Sequence, residues 1–375
     1  MYFTESLPHQ LDDLLWRICV GLQITPTQYE SAKQHYTAVG HWLEADGSLL
    51  QVLAPSIYPQ GSVLIGTTVR PQGRTEYDVD LVCEFLRADW RAIRNPVVLL
   101  DAVEERFKQH DTYRGMIKRR NRCISLIYKG AFHLDILPGC PDPSTGQRCL
   151  VVPDRQLRGW RASNPKGFAS WFESRADAFD RALLEKAAPF PGQEEVDDKP
   201  PLKRAVQLLK RWRDLYYAEM ADVAPISIVL TTLAATYYGG EGTAGEALRA
   251  ILDGIVCNLP AGRGRLIVLN PTNPKEDLSE RWDEGNRYAA FVSGIQAFRD
   301  DWQNALAADG YTDITRRLEK LFGEELAKSA VKQQAELIEK ARHEGSLGTR
   351  RGLGTLGAAV GPAFVPVRRN SFYGD

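Results

Sequence analysis

A chain of 375 residues with 43% hydrophobic and 25% charged side chains has the composition of a folded globular protein with an ordinary core. Its 47 Lys and Arg against 48 Asp and Glu leave a formal net charge of -1, so no global positive field exists to hold long nucleic acid, and no nucleic-acid partner is expected. Acidic residues interrupt the apolar stretch of MYFTESLPHQLDDLLWRICVGL, and no apolar run approaches the roughly 20 residues of a membrane span, so a cytoplasmic location with no membrane partner is expected.

Leu11, Leu14, Leu15 and Ile18 recur at helical spacing, and a second helix is expected over 27–43, after the turn at Pro26. QVLAPSIYPQGSVLIGTTV mixes β-branched residues with Pro55, Pro59, Gly61 and Gly66. EYDVDLVCEF alternates and reads as a strand. A helix is predicted over 96–110, then two strands at CISLIYKG and AFHLDILPG joined by a turn at Lys129-Gly130. From about 140 to 201 the chain reads as loop-rich with one helix over 166–186, and PFPGQEEVDDKPP as an exposed loop.

PLKRAVQLLKRWRDLYY then gives a strongly amphipathic helix. Ala205, Leu208, Leu209, Trp212 and Leu215 form its apolar face, with Lys203, Gln207, Lys210 and Asp214 opposite. Further helices fit 226–238, 245–257 and 286–307, with one long helix over 312–343. The last thirty residues are Gly-rich and read as a flexible tail. The pattern predicts an α+β protein: a mixed-sheet lobe over 1–200, a helical lobe over 201–345 and a tail over 346–375. The six cysteines form no CxxC pair. Cys140 and Cys149 bracket a Pro/Gly-bearing loop not far from His133, but reduced, unliganded thiols fit a cytosolic chain better than a metal site.

Chemistry concentrates in GSVLIGTTVRPQGRTEYDVDLV and the later HLDIL. Asp78 and Asp80 are two apart on a predicted strand, so both face one side. Two carboxylates on one face repel unless a cation sits between them. Asp135 lies mid-strand in an apolar segment and needs a partner as well. If the two strands are neighbours, three carboxylates converge. Such oxygen donors suit Mg²⁺, and two ions can stabilise the attacking and leaving oxygens of an in-line phosphoryl displacement. Gly61 permits close backbone approach, and Ser62 with adjacent amides can hold triphosphate oxygens. A lone Gly-Ser is a turn in most proteins and a lone Asp-Val-Asp a polar strand face. Their combination with a later strand aspartate points to nucleotidyl transfer.

Gly-Ser, then Asp-Val-Asp, then Leu-Asp-Ile resembles the polymerase β-type nucleotidyltransferase superfamily. YPQGSVLIGTTVRP, NPKGFASWF, LKRAVQLLKRWRD and VLNPTNPKEDLSERW make the chain similar to the bacterial cGAS/DncV-like nucleotidyltransferases, relatives of the oligoadenylate synthetases. The resemblance implies a bilobed polymerase β-like fold with the active site in the cleft. It implies a Mg²⁺-dependent cyclic oligonucleotide synthase, with two ions and Mn²⁺ as a substitute. ATP or GTP would be joined into a cyclic di- or trinucleotide second messenger for antiphage defence, with release of pyrophosphate, and the product would act on an effector.

Asp78, Asp80 and Asp135 would bind metal, Asp135 also serving as general base. Gly61, Ser62, Lys210 and Ser227 would hold the donor nucleotide, although Ser227 also suits a helix start. A tail ending SFYGD resembles those conjugated by a ubiquitin-transfer-like partner enzyme. The run from Lys118 to Arg122 could line an acceptor-phosphate surface, Tyr77 and Gln60 suit packing, and Asn270, Asn273 and Asp277 suit a structural lock. A linear transferase acting on RNA or a small molecule, and a catalytically silent nucleotide or RNA sensor, are the competing readings.

Overall fold

The computed structural model describes residues 7–48, 50–71, 76–176, 190–262, 264–308, 310–344, 347–350, 356–358 and 364–366. Pro26 opens the second of two amino-terminal helices, α1 (Leu7–Leu22) and α2 (Pro26–Glu44), behind a capping box between Thr25 and Gln28. Then come β1 (Pro55–Pro59), the single turn α3 (Gly61–Leu64), β2 (Tyr77–Phe85) and α4 (Val97–Lys108). β3 (Ile117–Arg119), β4 (Ile124–Tyr128) and β5 (Phe132–Pro141) complete the central strands. Their order is β1-β2-β5-β4-β3, and only β2 and β5 run parallel, so the sheet is mixed as predicted.

Tyr77, Val79 and Leu81 of β2 and Phe132, Leu134 and Ile136 of β5 turn inward to a core completed by α2 and α4. The alternate residues, Asp78 and Asp80 on β2 and His133 and Asp135 on β5, are thereby held on the other face.

The stretch after residue 140 is more regular than expected. β5 continues into a hairpin of β6 (Leu150–Asp154) and β7 (Gly159–Ser163). Pro153 within β6 and the weakly alternating GWRAS of β7 hide these strands from a periodicity reading. α5 (Pro165–Arg175), capped by the Asn164 side chain, covers the first part of the helix expected over 166–186; residues 177–189 lie outside the described residues. The acidic stretch expected as an exposed loop is tied down. Phe190 is buried, Tyr29 Oη donates to the Pro191 carbonyl, and Gln23 Nε2 donates to the Glu194 carbonyl at 2.9 Å.

The helical part comprises α6 (Pro201–Tyr216), α7 (Ser227–Tyr237), α8 (Ala244–Cys257), α9 (Arg287–Leu306), α10 (Tyr311–Phe322) and α11 (Glu324–His343), with a small β8 (Leu269–Asn270) and β9 (Asn273–Asp277) ribbon. The single helix expected over 312–343 is two, broken at Gly323, whose φ of 95° an L side chain rarely adopts. Two elements expected in the first lobe join this helical core: α1 through Leu14, Leu15 and Ile18, and α5 through Phe168 and Phe172. The described part of the expected flexible tail forms a three-stranded antiparallel sheet of β10 (Leu347–Arg350), β11 (Leu356–Ala358) and β12 (Phe364–Pro366); the terminal SFYGD lies outside the described residues.

Most of the polar face of α6 does not meet solvent: Lys203, Gln207 and Lys210 are buried, and only Asp214 at its end is exposed. Lys203 is 1% exposed between Glu173 at 2.9 Å and Glu194 at 2.6 Å, and Gln207 donates to the Thr68 carbonyl at 2.8 Å. One face of α6 thus belongs to the helical core while the other binds the chain around the Gly-Ser turn.

Candidate active site

The parallel register of β2 and β5 sets Asp80 opposite Asp135 and Asp78 opposite His133. The Gln60 amide donates to the Asp80 carbonyl at 2.9 Å, laying the Gly-Ser turn across β2. Gly61 has φ 63°, and a Cβ there would lie 2.6 Å from Asp80 Oδ2, so only glycine lets the turn approach this closely. Ser62 Oγ accepts from Thr68 Oγ1 at 3.3 Å. Burial, then Asp135 and Asp78, push Asp80 up to about 7 against the pull of Lys210. The enclosing cleft and Asp135 also raise Asp78, while His133 and Arg120 oppose them.

Do these groups suit a divalent cation? Asp135 Oδ2 accepts from Cys123 Sγ at 3.6 Å, but Oδ1 is buried with no hydrogen-bond partner among the described residues. A buried, unpaired carboxylate oxygen beside a carboxyl held near neutral is what a hard cation would relieve. Among the described residues no three such side chains are already gathered into a cage, which accords with the mutual repulsion of carboxylates. The donor set fits Mg²⁺.

The opposite wall is α6. Lys210 Nζ is buried and donates to the Thr67 carbonyl and to Thr67 Oγ1, both at 3.0 Å. Burial, then Arg213, hold its ammonium down at about 7 against Asp214 and Asp80. Arg213, one turn further on, bonds to Ser227 Oγ and pairs with Asp214. Ser227 is the first residue of α7, and its hydroxyl receives Arg213 instead of capping the helix. Gly61, Ser62, Asp78, Asp80, Lys210 and Ser227 all line one cavity of about 1010 Å³. Asp135 lies beside Asp80 on the neighbouring strand and is not among the residues that line the cavity.

The other sequence candidates separate. Tyr77 lines the cavity but donates its hydroxyl to the Gln28 carbonyl at 2.9 Å, and Gln60 opens α3. In the basic run, Arg119 pairs with Asp101 at 2.6 Å and Glu104 at 3.0 Å, and Arg122 with Asp154 at 2.8 Å and with Glu280. Arg120 is the member that faces the carboxylates, bonding Ser125 Oγ at 3.2 Å. Asn270 bonds Glu276 at 2.7 Å, Asn273 bonds the Ser163 carbonyl at 3.3 Å and Asp277 pairs with Arg265 at 3.0 Å, so this segment locks onto β7. All six cysteines are free, Cys140 and Cys149 buried.

Sequence reasoning missed Arg213, although its i+3 spacing from Lys210 was available. It also missed His133 as a site residue, although it lies two before Asp135 and hence on the same strand face. His133 Nε2 bonds Glu76, and its Nδ1 lies 3.4 Å from Asp78 Oδ1.

A mixed sheet presenting paired strand aspartates beside a Gly-Ser turn, across a cleft from a cationic helix, defines a nucleotidyltransferase of the polymerase β type. The domain family described as Second Messenger Oligonucleotide or Dinucleotide Synthetase matches residues 10–175. The c-di-GMP synthase of Roseivirga ehrenbergii is 32% identical over 385 aligned residues, covering 100% of both chains. The cyclic dinucleotide synthase CdnG of Bradyrhizobium diazoefficiens is 28% identical, covering 97% of this chain and 95% of its own. Its solved structure in complex with GTP superposes with a TM-score of 0.70 at 24% identity, over 87% of this chain and 99% of that one. Vibrio cholerae DncV, a cyclic AMP-GMP synthase, superposes at 0.52 with 15% identity, over 85% and 89%. The chain belongs to the bacterial cGAS/DncV-like nucleotidyltransferases and is a cyclic oligonucleotide synthase. Among the described residues no helix is long and apolar enough to cross a membrane.

Proposed function

We propose that this enzyme joins two GTP molecules into cyclic di-GMP, with loss of two pyrophosphates, as a Mg²⁺-dependent second-messenger synthase of antiphage defence. The observation that carries the chemistry is the convergence of Asp78, Asp80 and the Gly-Ser turn with Lys210, Arg213 and Ser227 on one cavity. Guanine as the base follows the product named for the Roseivirga relative, which aligns over the whole chain.

Ser62, Lys210 and Ser227 hold the donor triphosphate, Lys210 and Arg213 offsetting its charge. The ribose hydroxyl of the acceptor attacks the donor α-phosphorus in line. Asp135 takes the hydroxyl proton, the new O–P bond forms, and the bond from the α-phosphorus to the bridging oxygen breaks to release pyrophosphate. The linear product then presents its own hydroxyl and triphosphate to the same groups, and a second such step closes the ring. Bound at Asp78, Asp80 and Asp135, two Mg²⁺ ions would acidify the attacking hydroxyl and neutralise the leaving pyrophosphate. Gly61 keeps the triphosphate-holding turn in contact with Asp80.

The test is mass spectrometry of products from equimolar NTPs, with and without EDTA. A phosphatase-resistant cyclic guanine dinucleotide, absent in EDTA and in Asp80→Asn, is the expected result. Labelled RNA, a linear product alone, or turnover unchanged by Asp80→Asn would refute the reading.

A further inference from the structure

α6 acts as a ruler along the cavity. Lys210, Arg213 and Asp214 line it near the Gly-Ser turn, and Tyr217 lines it further on. At 1.5 Å of rise per residue, Tyr217 lies roughly 10 Å beyond Lys210 along the helix axis. Tyr217 Oη donates to the carbonyl of Ala290, next to the Phe291 ring on which Trp282 stacks, and Arg287 reaches the Asp222 carbonyl. Asp222, Arg281 and Trp282 thus belong to the Tyr217 end of the wall, and a nucleotide that extends along α6 with its phosphates at Lys210 carries its base toward them.

That end is rigidly built. Arg281 sits in a short 3₁₀ turn, Glu280–Asp283, and each of its turn neighbours is fixed. Glu280 binds Arg122 and, at 3.0 Å, Arg161. Asp283 binds Arg265 at 2.6 Å and 3.0 Å. Trp282 stacks on Phe291 with ring centroids 4.4 Å apart. Arg281 itself is exposed on the cavity wall, and its guanidinium has no hydrogen-bond or ion-pair partner among the described residues. Asp222 is also exposed there. Arg287 Nε donates to its backbone carbonyl at 3.1 Å, while its carboxylate has no partner among the described residues. Other charged groups nearby are engaged: Asp214 by Arg213, and Arg287 by Glu284.

We infer that Arg281 and Asp222 are the guanine-reading pair of this enzyme, which rests on the GTP reading above. The guanidinium donates to guanine O6 and N7, the bidentate pairing that suits arginine. The carboxylate accepts from guanine N1–H and the N2 amino group. Adenine keeps the N7 acceptor but reverses the roles at positions 6 and 1. Its N6 amino group would face the guanidinium with a donor, and its N1 lone pair would face the carboxylate with an acceptor. The two side chains thus attract one purine and repel the other.

Calorimetric binding of GTP, ATP, ITP and 7-deaza-GTP to the full chain with Mg²⁺ tests this. For the wild type, GTP binds tightest, 7-deaza-GTP loses the N7 contact and ITP the N2 contact. Arg281→Ala weakens GTP by about ten- to a hundredfold. It leaves ATP unweakened and abolishes the distinction between GTP and 7-deaza-GTP. Asp222→Ala abolishes the distinction between GTP and ITP. Both side chains are exposed, so neither variant threatens folding. Equal weakening of GTP and ATP by Arg281→Ala would make it a phosphate contact and overturn the inference, as would unchanged GTP selectivity in both variants. A wild type that makes cyclic di-GMP while the variants keep their selectivity sinks the pair alone. A wild type that makes no guanine product sinks the GTP reading as well.

Discussion

Gly61→Ala separates two demands that the Gly-Ser turn places on one residue. The backbone sits at φ 63°, where an L side chain costs roughly 1–2 kcal/mol. The added Cβ would also lie 2.6 Å from Asp80 Oδ2, about 0.8 Å inside an ordinary 3.4 Å contact. The turn cannot retreat easily, because the Gln60 amide is bonded to the Asp80 carbonyl at 2.9 Å. The carboxylate, at the end of a rotatable side chain, moves instead. A displacement near 1 Å in a reacting constellation costs on the order of a hundredfold. Gly47 supplies the control, since its φ is 77° but a Cβ there meets nothing within 4 Å. Gly61→Ala and Gly47→Ala should each lose a few degrees of melting temperature in scanning calorimetry. Initial rates of pyrophosphate release at saturating NTP should fall about a hundredfold for Gly61→Ala alone. The reasoning fails if folded Gly61→Ala keeps a rate within about threefold of the wild type, or if Gly47→Ala loses as much activity.

Asp80 has its folded pKa raised from 3.8 to about 7, so the ion-free fold is favoured while it is protonated and loses that stability as pH rises through about 7. In EDTA the wild-type melting temperature should therefore fall between pH 5 and 8 more steeply than that of Asp80→Asn, whose melting should also be insensitive to added Mg²⁺. Glu276 is raised from 4.5 to about 7, chiefly by burial, so Glu276→Gln should gain stability over the wild type at pH 8 and not at pH 5, read by the same melting curves. Arg122→Ala should cost roughly 1–3 kcal/mol in urea unfolding because the Asp154 carboxylate, whose side chain is 2% exposed, loses its 2.8 Å ion pair and keeps the Leu157 amide at 3.1 Å and Arg161 at 3.9 Å. Adding Asp154→Asn should recover part of that loss, and strict additivity would deny the pairing.

The catalytic face was readable because it depends on strand parity alone. Asp78 and Asp80 share a face at any strand twist, and an aspartate inside HLDIL is conspicuous among apolar neighbours. The parallel register that sets Asp80 against Asp135 is a pairing of residues fifty-five apart, and periodicity carries no such information. α6 was predicted as an amphipathic helix, but its charged face was not recognisable as buried. Lys203, Gln207 and Lys210 look like a solvated stripe until Glu173, Glu194, Thr67 and Thr68 arrive from elsewhere in the chain. Gly323 broke a helix that was otherwise periodic on both sides, and the β6–β7 hairpin carries a proline inside a strand. Arg281 had no sequence signal at all. What marks it is a missing partner on a turn whose neighbours are all engaged.

The buried polar face of α6 couples protons to substrate. Lys210 is held at about 7, first by burial and then by Arg213, so at pH 8 about nine-tenths of it is neutral in the ligand-free chain. A triphosphate beside it favours the cation and draws a proton from solvent. Asp80, also near 7, is already mostly ionised at pH 8, so binding of a metal there releases little to mask the uptake. Calorimetry of a nonhydrolysable GTP analogue with Mg²⁺ at pH 8, in two buffers of different ionisation enthalpy, should show uptake approaching one proton. Lys210→Met fills the same space without a titrating group and should show almost none, with weaker binding. At pH 6 Lys210 is already charged in the free chain, and the wild-type uptake assigned to it should vanish. Equal uptake by the wild type and Lys210→Met at pH 8 would show that Lys210 stays bonded to Thr67 and does not meet the triphosphate.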